Sequence, residues 1–99
     1  MKINKVSDGN KLTVSISGRL DTVTAPELEA VVTGDLSGVS EFIIDMNELE
    51  YISSAGLRVL LLAQKTMNKQ GTMLIKNVNS DIMEVFDMTG FTSVLNIEE

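Results

Sequence analysis

The chain has 99 residues, which is enough for one domain and short for two. Its 14 acidic and 8 basic residues give a net charge of −6, which repels nucleic-acid phosphates. This charge indicates either a partner with a basic patch or a role in solubility alone. Cysteine and histidine are absent, so disulfides, thiolate metal sites and a Ser-His catalytic pair are excluded.

No segment predicts a membrane span or a secretion signal. The longest helical apolar run, Val59–Ala63, is far shorter than the roughly 20 residues that a membrane-spanning helix needs. Residues 1–5 lack an apolar signal core. We therefore expect a cytoplasmic protein without direct membrane insertion.

The first part of the sequence predicts a β-hairpin followed by a helix. Residues 1–6 and the alternating segment 12–16 indicate two strands, and turn residues at 8–10 join them. The Thr-Ala-Pro-Glu sequence at 24–27 is a capping box that predicts a helix ending at Gly34.

The rest of the sequence alternates strands with helices. The apolar run Phe42–Ile44 indicates a central strand, over residues 42–46, that is covered on both faces. The elements predicted after it are a helix over 55–69 stopped by Gly71, a strand over 72–76, a helix opened by Asn79 and ended by Gly90, and a last strand over 94–97.

This order, β-β-α-β-α-β-α-β, predicts a single α/β domain. Strands separated by helices imply right-handed crossovers and a mixed, mostly parallel sheet of about five strands, with the helices mainly on one side. The second predicted helix begins at the carboxyl end of the central strand, where open α/β sheets usually place their sites.

The segment Tyr51–Leu57 is the most informative one, because a pair of serines, Ser53 and Ser54, stands between an apolar strand and an apolar helix. A helix N-terminus suits a capping serine, and it also suits a phosphate. Its first turn lacks Asp and Glu, which leaves the positive end of the helix dipole unneutralised. Ala55 and Gly56 are small, so we expect another protein's backbone to approach closely there.

The second helix and one loop supply further candidates. Arg58, Lys65 and Lys69 share the face opposite the apolar one, with Leu62 among them as either an isolated surface leucine or a partner contact. Asp21 either stabilises a turn or lies beside the serines. The partner-binding candidates are Asp21, Thr22, Ser53, Ser54, Ala55, Gly56, Arg58 and Leu62.

The sequence predicts no metal, cofactor or catalytic residue. The acidic stretch 45–50 resembles a metal site, but carboxylates on a solvated loop explain it better because nothing fixes a coordination geometry. Ser54 with Lys65 or Lys69 could be a nucleophile and its base. Those lysines lie along the helix away from its start, so we do not expect an enzyme.

Three segments resemble the STAS domain, and the anti-sigma factor antagonists in particular. They are Gly18–Asp21, the stretch 44–57 around the serines, and the Phe-Asp-Met-Thr-Gly-Phe sequence at 86–91. The resemblance extends through the chain in order, so we expect residues 1–99 to form one such domain. Many family members carry a final helix, and we expect it to be missing here.

The resemblance implies a switch controlled by phosphorylation. In the family, the unmodified antagonist binds an anti-sigma factor, itself a serine kinase, and so frees the sigma factor. The kinase phosphorylates the antagonist and ends the complex, and a serine phosphatase resets it. The family's phosphoacceptor corresponds to Ser54. Ser53 stands where the family has an aspartate before that serine, and it is a competing acceptor. The family's loop aspartate corresponds to Asp21. Arg58 stands where the antagonists often have glycine.

The family also leaves an alternative open, in which the chain is a STAS scaffold or an accessory subunit of a transporter or signalling complex, without phosphorylation. Nucleotide binding is not predicted, because the sequence has no Gly-rich phosphate loop. The oligomeric state stays open, and a weak homodimer is one of the options.

Overall fold

A computed structural model describes residues 1–98 as one sheet with helices packed on it. The elements are β1 (Lys2–Asp8), β2 (Lys11–Leu20), α1 (Ala25–Gly34), β3 (Glu41–Ile52), α2 (Ser54–Asn68), β4 (Thr72–Lys76), α3 (Ser80–Thr89) and a 3₁₀ turn (Phe91–Ser93). The sheet order is β1-β2-β3-β4. β1 and β2 are antiparallel, and the other pairs are parallel. The predicted hairpin and mostly parallel sheet are confirmed.

The last predicted strand, over 94–97, is wrong. The backbone N–H groups of Val94 and Leu95 donate to the carbonyl oxygen of Phe91, at 3.0 and 2.8 Å, so they are unavailable to a strand ladder. Ile97 makes one isolated parallel bridge with Ile75 of β4. Within residues 1–98 the sheet therefore has four strands.

The core lies on one face of the sheet. In register, Leu12 pairs with Phe42 and Val14 with Ile44, and these side chains join the buried residues of α1, α2 and α3 in one cluster. Ile43 points to the opposite face and lies outside that cluster, although it is only 7% exposed. Helices over residues 1–98 thus pack on one face, and the burial of the whole run Phe42–Ile44 agrees with the expectation that the central strand is covered on both faces there.

The acidic stretch 45–50 belongs to β3 and is not a solvated loop. Buried Leu49 and Ile52 hold this half of the strand against the core. Two register shifts against β2, between Ser15 and Ser17 and between Gly18 and Arg19, accommodate it. Across residues 1–98, no three acidic side chains come together in a way that could hold a metal ion. Nor is any helix of that range both long and apolar enough to cross a membrane.

Candidate functional site

The candidate site lies where β2 and β3 end side by side. Leu20 and Ile52 are partners in the parallel register, and the backbone N–H of Ser53 donates to the carbonyl oxygen of Leu20 at 2.9 Å. The loop after β2 and the N-terminus of α2 therefore emerge at the same edge of the sheet. This arrangement brings Asp21 and the serine pair to one end of the domain.

The two serines have different positions on α2. Ser53 is the N-cap, with extended backbone, and its hydroxyl oxygen accepts from the Gly56 N–H at a long 3.5 Å. Ser54 is the first helical residue, is exposed, and does not act as the cap. The first turn carries no acidic residue, so the positive end of the helix dipole faces solvent without a carboxylate. An exposed hydroxyl thus stands at the positive end of the α2 dipole.

The small size of Gly56 suggested that a partner's backbone could approach it closely, but Gly56 is not open to such a contact. It is buried, and a Cβ added there would lie 2.7 Å from Leu20 Cγ and 2.9 Å from Ile52 Cγ1. The glycine is therefore required because it lets α2 begin directly against the ends of β2 and β3. Ala55 is half-buried beside it.

Asp21 organises the loop that starts α1. Its Oδ1 accepts from the Val23 N–H at 3.0 Å and the Thr24 N–H at 3.1 Å. The pKa of this carboxyl lies below its ordinary value, chiefly because the Thr24 N–H donates to it, with smaller contributions from the Thr24 hydroxyl, the Val23 N–H and the charge of Arg19. The turn-stabilising interpretation of Asp21 matches this geometry.

The capping box expected at 24–27 is wrong. The Thr24 hydroxyl donates to the carbonyl oxygen of Arg19 at 2.7 Å and accepts from the Asp21 N–H at 2.9 Å. It is therefore committed to the loop and makes no capping hydrogen bond to α1. Asp21 instead accepts from the N–H of Thr24, the N-cap residue of this helix.

A stacked pair that the sequence did not predict lies at the same edge. The Arg19 guanidinium carbon lies 4.1 Å from the centre of the Tyr51 ring, and these residues are partners between β2 and β3. Their pairing follows the register shift at Gly18/Arg19, and an unshifted alignment of the strands does not reveal it. The pair borders the Asp21 loop, because Arg19 Nε is 3.7 Å from Asp21 Oδ2.

Several exposed side chains lie at this end of the domain or further along α2. Thr22 and Arg58 are exposed, and Leu62 on α2 is 38% exposed. Val23, which sequence analysis did not single out, is 83% exposed. The site therefore combines a hydroxyl, cations and apolar side chains on a surface that is open to solvent.

A mixed sheet with helices on one face, and a serine at the start of the helix after the central strand, define a small α/β domain with an open surface at one sheet edge. The family described as STAS domain matches residues 2–99. The chain belongs to that family.

Two relatives support the assignment at the level of sequence. A putative anti-sigma factor antagonist, BtrV of Bordetella bronchiseptica, is 31% identical over 99 residues, which are 98% of this chain and 85% of that protein. The anti-sigma-B factor antagonist of Staphylococcus aureus is 30% identical over 88 residues, which are 87% of this chain and 82% of that protein. The chain is thus similar to antagonists over most of their length.

Two solved structures share the fold. The phosphorylated form of the Bacillus cell fate determinant SpoIIAA matches with a TM-score of 0.77 at 15% identity, over 99% of this chain and 92% of that one. A sulfate transporter family protein from Wolinella succinogenes matches with a TM-score of 0.78 at 24% identity, over 93% of this chain and 76% of that one. The fold therefore occurs in proteins with different roles.

Proposed function

We propose that the chain is a cytoplasmic, non-enzymatic antagonist that binds an anti-sigma factor serine kinase and releases the sigma factor. Phosphorylation of Ser54 ends the complex, and a serine phosphatase restores the unmodified form. The proposal is supported chiefly by the different positions of the two serines, because Ser53 caps α2 and Ser54, one residue later, is exposed.

The free domain tolerates a phosphate at Ser54. The side chain is exposed, and the first turn of α2 supplies the positive end of the helix dipole without a competing carboxylate. A phosphoserine carries about −1.5 to −2 charges, which a helix N-terminus accommodates. Modification therefore leaves the fold intact and changes only the surface.

The same phosphate is costly inside a close interface. Burial of an uncompensated charge costs several kcal/mol, whereas about 1.4 kcal/mol is enough to weaken binding tenfold. One phosphoryl group is therefore sufficient to separate the complex. The partner-binding residues in this proposal are Asp21, Thr22, Ser53, Ser54, Ala55, Gly56, Arg58 and Leu62, with Asp21, Ser53 and Gly56 shaping the surface from within.

Ser53 is the poorer of the two acceptors. It is half-buried and its hydroxyl is engaged with the Gly56 N–H, so a kinase would have to release the cap in order to reach it. Ser54 presents no such obstacle. We therefore assign the modification to Ser54.

Phosphopeptide mapping tests this assignment. The chain is incubated with an anti-sigma factor kinase of the same organism and ATP, and the phosphoryl group is located by mass spectrometry. We expect it on Ser54, none in the Ser54→Ala variant, and retained kinase binding by that variant. The matched control is Ser80→Ala, which removes the serine at the first position of α3 and leaves the labelling unchanged. A phosphoryl group on Ser53 or on no residue contradicts the proposal.

A STAS scaffold or transporter subunit without phosphorylation is the second candidate, and the fold shared with the Wolinella protein favours it. It predicts that a partner binds equally well to the wild-type chain and to Ser54→Asp. A pull-down that compares the two proteins separates the candidates, because the switch requires loss of the partner from the aspartate variant.

A further inference from the structure

The exposed face of α2 carries a concentrated positive charge in an acidic protein. Three of the chain's 8 basic residues, Arg58, Lys65 and Lys69, lie on this helix and its C-cap, and none of its 14 acidic residues does. All three side chains are exposed. The local charge of α2 is therefore opposite in sign to the net charge of −6.

Nothing within residues 1–98 neutralises these three cations in an ion pair. The ion pairs of that range join Lys5 to Asp35, Lys11 to Glu41 and Arg19 to Asp21. The acidic residues of these pairs, Asp35, Glu41 and Asp21, thus bind cations elsewhere on the domain. The positive charge of α2 remains available to a docking molecule.

These cations form a stripe with the serine at its head. Ser54, Arg58, Leu62, Lys65 and Lys69 follow one another at spacings of four, four, three and four residues, which places them on one face of a helix. We call this set the α2 stripe. Leu62, 38% exposed in its middle, provides an apolar contact between the charges.

We propose that the α2 stripe is a docking face for an acidic segment of the partner protein, one that also presents an apolar side chain to Leu62. This inference rests on the proposed function and adds Lys65 and Lys69 to the surface. Charge complementarity selects the occupant. Nucleic acid and anionic membranes present negative charge over a wide surface, which the rest of this acidic chain repels, whereas a short acidic segment contacts only the α2 stripe.

The stripe also suggests how a phosphate at Ser54 acts beyond its own position. Arg58 lies one helical turn from Ser54, a spacing at which opposite charges pair along a helix. A phosphate on Ser54 therefore repels the acidic segment and draws Arg58 away from it. Both effects weaken the same contact.

The first experiment measures binding of the kinase by calorimetry at low and high salt. We expect Lys65→Gln/Lys69→Gln to weaken binding on the order of tenfold at low salt and less at high salt, because surface charge pairs are screened. The control is Lys2→Gln/Lys76→Gln, which removes equal charge from the sheet and should change the affinity less than about twofold. Equal loss in both double variants, or no loss in the first, overturns the inference.

A second experiment keeps the inference testable if no such kinase binds, a result that would count against the proposed function alone. A synthetic peptide rich in Glu and Leu is titrated into the ¹⁵N-labelled chain. We expect NMR chemical-shift changes of the amide groups at residues 58–69. These changes should disappear in Lys65→Gln/Lys69→Gln and remain in the control variant Lys2→Gln/Lys76→Gln. Changes elsewhere, no changes, or equally strong binding of anionic phospholipid vesicles or duplex DNA at these residues would overturn it.

Discussion

The N-termini of α2 and α3 begin at the same edge of the sheet but are finished differently. α3 starts with Asn79, whose Oδ1 accepts from the Ile82 N–H at 2.8 Å and whose Nδ2 donates to the Leu49 carbonyl oxygen at 3.0 Å. Asp81 adds an acidic side chain to its first turn. α2 has a capping contact of 3.5 Å from Ser53 and no acidic residue in its first turn.

The start of α3 shows that this fold can neutralise a helix N-terminus with its own side chains. Both helices have an exposed serine at their first position, Ser54 in α2 and Ser80 in α3. Only α2 leaves the dipole open around that serine. The contrast favours a functional use of α2, and α3 supplies matched positions for substitutions of the serine and of the cap.

The largest expected effect is a change in affinity for the partner when aspartate replaces the first serine of α2 or of α3. Ser54→Asp should weaken binding of the anti-sigma factor kinase at least about tenfold, because it places a charge in the interface. Ser80→Asp should leave the affinity unchanged. Calorimetric titrations of both variants check this, and equal effects at the two helices would break the comparison.

A stability loss of about 1–3 kcal/mol is expected for Gly56→Ala, because the new Cβ overpacks the junction of α2 with the strand ends. Its atoms would lie 2.7 Å from Leu20 Cγ. Gly34→Ala, at the end of α1 with open space around it, is the control and should not destabilise the fold. Urea unfolding measures both, and an unchanged free energy of unfolding for Gly56→Ala would show that α2 does not sit so closely on the strands.

The caps themselves provide a smaller contrast. Asn79→Ala should cost about 1–2 kcal/mol of unfolding free energy, whereas Ser53→Ala should cost roughly 0.5 kcal/mol, because the Ser53 capping contact is long. Asn79 also loses its hydrogen bond to Leu49. Thermal unfolding of the two variants under one set of conditions gives the comparison, and a larger loss for Ser53→Ala would show that α2 depends on its cap more than its geometry indicates.

The smallest effect concerns pH and the loop before α1. The pKa of Asp21 is lowered by folding from its ordinary value of 3.8, so its contribution to stability is complete above that value and is lost as the pH falls through the lower folded pKa. The free energies of unfolding of the wild type and Asp21→Ala should therefore converge below about pH 3.8. A gap that stays constant with falling pH would contradict the role of this carboxylate.

Local patterns predicted the hairpin, the three helices and the edge at which the site lies. What they could not predict depended on where elements meet. The predicted last strand is absent from the sheet because the Phe91 carbonyl oxygen accepts hydrogen bonds from the N–H groups of Val94 and Leu95. The Arg19–Tyr51 stack depends on a register shift, and the role of Gly56 depends on contact with distant Leu20.

The serine pair illustrates the same limit at the scale of one residue. Sequence analysis left open which serine caps α2, because either one precedes an apolar helical pattern. The start of the helix at Ser54 decides the matter, since it makes Ser53 the cap. A helix that began one residue later would have made Ser54 the cap and left Ser53 outside the helix.

The most direct test compares the chain phosphorylated at Ser54 with the unmodified chain in two measurements on the same samples. Calorimetry with the kinase, without ATP, gives the affinity, and thermal unfolding gives the stability of the free domain. We predict that the phosphate lowers the affinity at least about tenfold and leaves the Tm unchanged or higher. Unaltered affinity, or a binding loss that comes with an unfolded domain, would contradict a switch at the start of α2.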